Sequence, residues 1–528
     1  LEGVILGIDL GTRYSIMAVV DERGTRVVKN RWGEDKTSSY VAYGDDKLYA
    51  ANEAASLFYL RPDRACPDLK RRLGASKGIR LGNRFFTPSK LLQALLIYLR
   101  EDAEAFSHSL VNGCVIAVPS SFDFKQREIV RDAARMAGFC RVKLVNEPTA
   151  IAMSSEAEGC LLVIDFGTGS ADISAIEKKD GFCHVLDSVG NAGFGGASLD
   201  KILARHLWRL IDKREDPERD ERWPLLLAEA EMIKEALSFS NKAYWFPKAS
   251  GFECSDDTSI TVHREDIERL FEPTIASFLD MAKDMWKQYE CQTVLLAGGS
   301  SRIPLFRRLL SRFLGETLNI RVCPDEAVAL GAARLARGEG EALIDVLSCD
   351  LCIGTAEGGV TVIASKGTPL PLKLTKRFMV VGTGAIDTEV FQRKEYGLEV
   401  RDEPLCSLSI KEANPGDVVK IVFTVDGSGI LNIKITNDKG KLYMSRDVSV
   451  RGLSSQNDSS EERKKKIIEL EKSIAPLSCL FDPNLERKVK ELFDDLKVLQ
   501  DAEEELWQDA VSILESVVDR ISRAVKNK

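Results

Sequence analysis

The chain has 528 residues, enough for three or four domains that each bury a core. Its 44% hydrophobic and 29% charged residues are ordinary for a soluble globular protein. A net charge of −8 with no Lys/Arg-rich stripe argues against a nucleic-acid partner, and no apolar run reaches membrane-spanning length.

The first element is "LGIDLGTRYSIMAVV" (Leu6 to Val20), an apolar strand, an acid, a Gly-Thr turn and a second apolar strand. It returns as "LVIDFGTGSADISAI" (Leu162 to Ile176), so that Asp9 aligns with Asp165. Each copy reads as a hairpin with a carboxylate at its tip, and repetition marks architecture rather than chance punctuation. Gly11, Gly167 and Gly169 allow close backbone approach, because a Cβ would block both turn and ligand. Successive turn amides then face phosphate oxygens, while Asp9 and Asp165 are placed to hold Mg²⁺ through water.

Strands and helices alternate to about residue 340. "NAGFGGASLD" (Asn191 to Asp200) is a loop entering a helix, and "TVLLAGGSSRIP" (Thr293 to Pro304) is a strand, a Gly pair and a helix start suited to an anion or ribose. "GEGEALIDV" (Gly338 to Val346) places Leu343 and Ile344 in a Gly/Glu linker, either as the end of a helix or as a segment that docks conditionally on a neighbouring domain. From Asp345 to about Val450 short alternating segments predict an all-β module, in which Val419, Ile421, Phe423 and Val425 share one face. A polar stretch from Leu453 to Lys466 precedes helical periodicity at Leu485, Val489, Leu492, Phe493 and Leu496 and again from Trp507 to Ile521, which predicts a small helical bundle. The twelve cysteines are scattered, several of them in apolar runs, which fits a reducing compartment; the one CxxC, Cys349 with Cys352, lacks a second pair for zinc.

Taken together, "GIDLGTRYS", "VIDFGTGSADIS", "VPSSFDFKQR", "LVNEPTAIA", "LLAGGSSRIP" and "PDEAVALGAA" resemble the seventy-kilodalton heat-shock chaperones of the DnaK type, and "KRRLGASKGIRLGNRFFTP" looks most like their HscC branch. The resemblance implies a two-lobed, actin-like (ribonuclease H-like) α/β ATPase over residues 1–338, a linker at 339–346, a β-sandwich peptide-binding domain at 347–455 and a helical lid at 456–528. It implies ATP/ADP and Mg²⁺ as ligands, extended polypeptides as clients, J-domain and nucleotide-exchange partners, and a cytoplasmic setting.

Carried over on matching motifs, Gly11, Thr12, Arg13 and Tyr14 form the first phosphate loop, and Thr168, Gly169 and Ser170 the second, with Gly195 and Gly196 beside them. Lys70 lies beside the γ-phosphate, and Glu147 and Asp172 lie around the attacking water and Mg²⁺, joined by Asp9 and Asp165. Glu231, Lys234 and Ser238 face adenosine, with Gly298, Gly299, Ser300, Arg302 and Asp325 completing that pocket. In the β-module Ile353, Thr355 and Ala356 line a peptide groove opposite Phe378, Val381 and Ile386, and Leu343, Ile344 and Asp345 form the coupling linker. From composition alone each groove residue is equally a core residue of the sandwich, and Lys70 is a surface lysine in a basic run.

Three positions depart from the family pattern. Thr168 adds a Cβ where backbone approaches phosphate, Arg13 stands where a small residue is usual, and Ala197 replaces a Glu. They point to slowed turnover more than to lost binding, which leaves a holdase or chaperone regulator with weak ATPase as the second reading. A small-molecule kinase of the same superfold is the third, since fold alone does not dictate function.

Overall fold

The computed structural model describes residues 4–22, 24–74, 78–180, 182–191, 194–211, 217–253, 258–315, 325–337, 343–355, 359–380, 386–396, 399–410, 416–437 and 442–447, together with 466–468, 470, 493 and 511. The polar stretch after residue 453 and the expected helical lid fall outside the described residues except for those last few positions.

Both Gly-Thr segments form antiparallel hairpins in the same register. Asp9 pairs with Ile16 in the first, and Asp165 pairs with Asp172 in the second. Each hairpin belongs to its own six-stranded sheet. In lobe I the order is Arg141–Asn146, Val111–Val118, Val4–Asp9, Tyr14–Asp21 and Gly24–Val28, with Lys36–Ser38 paired to Tyr14–Asp21. In lobe II it is Thr293–Ala297, Gly159–Phe166, Ala171–Lys179, Phe182–Asn191, Leu343–Val346 and Pro369–Leu370. The central strands are parallel to their outer neighbours and antiparallel within the hairpin, so one topology occurs twice.

Continuous apolar runs identify strands covered on both faces. In Gly159–Phe166, Leu162 and Ile164 enter the lobe II core while Leu161 and Val163 face a separate cluster between the lobes. Two helices fill that interlobe space, Glu147–Ser154 and Ala327–Ala336. The second reads AVALGAARLA because close packing admits little else: a Cβ on Gly331 would lie 1.7 Å from the Ala150 carbonyl oxygen, and one on Gly7 2.3 Å from the Ala333 nitrogen.

The β-module is a sandwich of two four-stranded sheets. One runs Val360–Ala364, Asp350–Gly354, Ile386–Tyr396 and Glu399–Ile410; the other runs Leu372–Met379, Val418–Val425, Leu431–Asn437 and Leu442–Asp447. Val419, Ile421, Phe423 and Val425 are all buried and share its core, as period-two alternation requires. Cys349 and Cys352 are both buried free thiols there.

The linker is not a helix end. Leu343–Val346 is a strand whose Leu343 and Ile344 pair in parallel with Cys183 and His184 at the edge of the lobe II sheet, while Asp345 and Val346 pair with Leu370 and Pro369. It thereby ties lobe II to the sandwich. Phe124 of lobe I is buried within the sandwich core, and Ile430 of the sandwich within the lobe I core.

Candidate functional site

The short helix Leu69–Arg72 carries three basic residues, of which Arg71 and Arg72 are exposed and only Lys70 is buried. Lys70 Nζ donates to Glu147 Oε1 at 2.5 Å, and both side chains are less than a tenth exposed. Glu147 opens the helix Glu147–Ser154, where a carboxylate complements the helix N-terminus. Asp9, Asp165 and Asp172 share the electrostatic field of this pair.

Four carboxylates therefore surround one ammonium, with Glu147, Asp165 and Asp172 buried and Asp9 half-buried. Burial, then the Glu147 charge, pushes the Asp9 carboxyl up to about 7, against the pull of Lys70. Burial and Glu147 likewise hold Asp172 at about 7, and burial with three neighbouring carboxylates lifts Asp165 well above the usual range. Burial disfavours a charged Lys70, yet Glu147 and Asp9 hold its pKa above the ordinary value. Asp172 Oδ1 accepts a hydrogen bond from Ser120 Oγ at 2.7 Å, whereas Asp172 Oδ2 is buried without a partner among the described residues. Excess buried negative charge and an orphaned carboxylate oxygen suit a hydrated cation.

The two turns meet across the cleft. A Cβ on Gly169 would fall 2.2 Å from Thr12 Oγ1, and one on Gly11 would fall 2.0 Å from the Tyr14 carbonyl oxygen. Thr168, the residue with the extra Cβ, accepts from the Ala197 amide at 2.7 Å, and a Cβ on Gly195 would strike its carbonyl oxygen at 2.6 Å. The Gly196 amide donates to the Gly167 carbonyl at 2.9 Å, and Ser170 O accepts from the Gly167 amide at 3.1 Å, closing the second turn.

A second polar cluster lies beside the turns. Arg13 pairs with Glu231 of lobe II at 2.6 Å and lies over the Tyr40 ring. Burial outweighs Arg13 and raises the Glu231 carboxyl to about 7. Lys234 pairs with Asp200 at 2.6 Å and donates to the Gly196 carbonyl at 3.3 Å. Ser238 lies one turn on from Lys234 and lines with it a hollow that also includes Arg264, Ile303 and Pro304. Gly298 has φ +77° and packs against the Phe166 carbonyl, a position closed to any Cβ. Ser300 Oγ donates to the Gly167 carbonyl at 3.0 Å, Gly299 lies near Asp325, and Asp325 pairs with Arg302 and, at 3.1 Å, with Lys36 of lobe I. Thus the residues expected at phosphate, metal and adenosine come together around one cleft.

The expected groove residues are described only in part. Ile353 is buried in the sandwich core on the strand Asp350–Gly354, which accords with the core alternative open to each groove position. Thr355 is exposed, its hydroxyl donating to the Gly359 carbonyl at 3.1 Å, and Phe378 packs partly buried on the opposite sheet. Ala356, Val381 and the side chain of Ile386 lie outside the described residues.

Sequence reasoning missed the residues that join site to module. Asn146 stands at the N-cap of Glu147–Ser154 but does not cap it. Its side chain instead accepts from Arg127 at 2.6 Å and donates to Asp345 Oδ1 at 2.5 Å. Arg127 also donates to the Ser428 carbonyl at 3.3 Å, and Ser348 Oγ donates to the Phe122 carbonyl at 2.9 Å. Lys394 pairs with Asp123, which caps the helix Phe124–Met136, and with Glu403 at 3.0 Å. No local signal marks them: an Asn before a helix reads as an ordinary cap, and its partner Asp345 lies far away in the chain.

Residues 5–527 match the family model described as "Hsp70 protein". The chain is also 28% identical over 549 aligned positions to the "Chaperone protein DnaK" of Mesomycoplasma hyopneumoniae, an alignment that covers 94% of this chain and 91% of that protein. With a match across nearly its whole length, the chain belongs to the Hsp70 family of ATP-dependent molecular chaperones, built from a two-lobed ATPase and a substrate-binding domain.

Proposed function

We propose that this chain binds Mg²⁺·ATP between Thr12 and Thr168, hydrolyses it with the Lys70, Glu147 and Asp172 cluster, and passes the outcome to the sandwich through Asp345. The observation that carries the reading is the continuity of buried polar contacts: Lys70 to Glu147, its neighbour Asn146 to Asp345. A carboxylate in the linker strand is thus one residue removed from the carboxylate that faces phosphate.

Phosphoryl transfer to water rests on positioning and charge neutralisation. The turn amides at Gly11–Tyr14 and Gly167–Ser170 cradle the phosphate oxygens, with the Ser170 hydroxyl added. Lys70 stabilises charge on the transferred group, and Glu147 or Asp172 orients the attacking water. Asp9, Asp165 and Asp172 would hold Mg²⁺ through water, as this reluctantly dehydrated cation is usually held beside a polyphosphate. When bound, the cation neutralises the phosphates and the carboxylates together. Glu231, Lys234 and Ser238, with Gly298, Gly299, Ser300, Arg302 and Asp325, hold adenosine.

The clients are extended polypeptides that add backbone hydrogen bonds to the sandwich and seat apolar side chains near Thr355 and Phe378. A helical lid, J-domain and exchange partners and a cytoplasmic site complete this reading; no helix among the described residues is long and apolar enough to cross a membrane. Limited proteolysis near Leu343 tests it. ATP should protect that bond and ADP should not, because only ATP supports the docked linker strand. Equal cleavage rates with the two nucleotides would overturn the coupling.

A further inference from the structure

Ser120 follows the lobe I strand Val111–Val118 and reaches across to lobe II, where its hydroxyl meets Asp172. Behind it stand two further hydroxyls. Ser188 Oγ donates to Ser120 Oγ at 2.9 Å, and Ser174 Oγ lies 2.9 Å from Ser188 Oγ. A serine hydroxyl has one proton to donate, and Ser120 gives its own to Asp172 Oδ1. The proton of Ser120 therefore points at Asp172, that of Ser188 at Ser120, and that of Ser174 at Ser188.

The backbone makes room for this chain. Ser174 and Ser188 face each other across the pair of strands Ala171–Lys179 and Phe182–Asn191, and the residue opposite Asp172 is Gly190. A Cβ there would lie 2.3 Å from Asp172 Oδ1 and 3.3 Å from the Ser121 side chain. Glycine opens the slot through which lobe I approaches the carboxylate. One oxygen of Asp172 is thereby held, and the other, Oδ2, is buried with no protein partner described.

We propose that Ser120 is a positioning residue for ATP hydrolysis: from the opposite lobe it holds Oδ1 of Asp172, so that Oδ2 faces the nucleotide and its attacking water. Ser188 and Ser174 set the direction of the holding hydroxyl. Because Ser120 and Asp172 belong to different lobes, the contact exists only when the lobes are closed, which aligns the carboxylate with closure. The proposal rests on the assignment of Asp172 to the nucleotide site.

The test uses full-length protein, with phosphate release for kcat, calorimetry for Mg²⁺·ADP affinity and a urea midpoint for stability. Ser120→Ala should lower kcat about tenfold or more, the scale of a hydrogen bond to a charged acceptor, with nucleotide affinity changed less than about twofold. Ser120→Thr, which keeps the hydroxyl, should recover most of the rate, and Ser188→Ala should show a smaller loss. Unchanged kcat in Ser120→Ala, a parallel fall in affinity and urea midpoint, or no recovery in Ser120→Thr would each overturn the proposal. Asp172→Asn separates the levels: full turnover there overturns the assignment of the site, whereas full turnover by Ser120→Ala beside an inactive Asp172→Asn overturns this inference alone.

Discussion

The two hairpins are one scaffold with two chemistries. In lobe I the strand partner of Asp9 is Ile16, a buried apolar residue; in lobe II the partner of Asp165, at the same register, is Asp172. The turns diverge as well, since Arg13 and Tyr14 of the first copy align with Gly169 and Ser170 of the second. The sheet edges differ last: the lobe II strand Phe182–Asn191 receives the linker strand. Repetition therefore accounts for the paired turns, and in the proposed function the departures from it supply the chemistry. A symmetric pair of turns can grip a triphosphate, but only an unequal set of carboxylates gives water a single direction of attack.

The largest expected effect tests that register. Asp172→Asn should lower kcat about a hundredfold or more, as loss of a group acting in the transition state does. Ile16→Val at the matching place should leave hydrolysis intact and cost about 1 kcal/mol of stability. Phosphate release and urea denaturation read the two, and equal losses of activity would erase the distinction between the lobes. Next in size, Gly169→Ala inserts a methyl group against Thr12 and should weaken Mg²⁺·ADP binding about tenfold, by holding the lobes apart. Thr12→Ala, which removes the Oγ1 that the methyl group would strike, should recover part of the loss in calorimetry when combined with it, and no recovery would remove the cross-cleft contact as the cause.

The third prediction concerns the linker edge. Asp345→Ala leaves Arg127 buried with one carboxylate fewer, and ATP-dependent protection near Leu343 should weaken about fivefold or more. Retained protection would place the coupling elsewhere. The smallest effect is one of pH. Burial raises Glu231 from 4.5 to about 7, so the folded protein binds this proton more tightly than the unfolded chain. Its stability contribution is present below pH 4.5 and is lost as pH rises through about 7. Between those limits the melting temperature of wild type should fall relative to Glu231→Gln in nucleotide-free protein, and a constant difference would contradict the burial of that carboxyl.

Much of the site was legible because its requirements are local. A Gly-Thr turn after an apolar strand states its own geometry, and Gly11, Gly169, Gly195 and Gly298 each occupy places where the structure leaves no room for a Cβ. Lys70 was legible only by motif; nothing in KRR says which of three bases turns inward, and in the folded chain only Lys70 is buried. Whether Ile353 faces core or groove was not legible, because one strand residue offers either face and only packing buries it in the sandwich core. Ser120 and Asn146 were invisible, as their partners lie 52 and 199 positions away.

By itself the sequence determined the duplicated hairpins, the alternating strands of the sandwich and the chemical character of the cleft, since strand period, glycine freedom and carboxylate count are properties of short segments. Only the tertiary structure decided that Arg13 crosses to Glu231, that Asp345 closes on Asn146, and that Ser120 holds Asp172. Those contacts join elements remote in the chain, and a polar side chain takes its partner from whichever buried groups folding brings within hydrogen-bond reach.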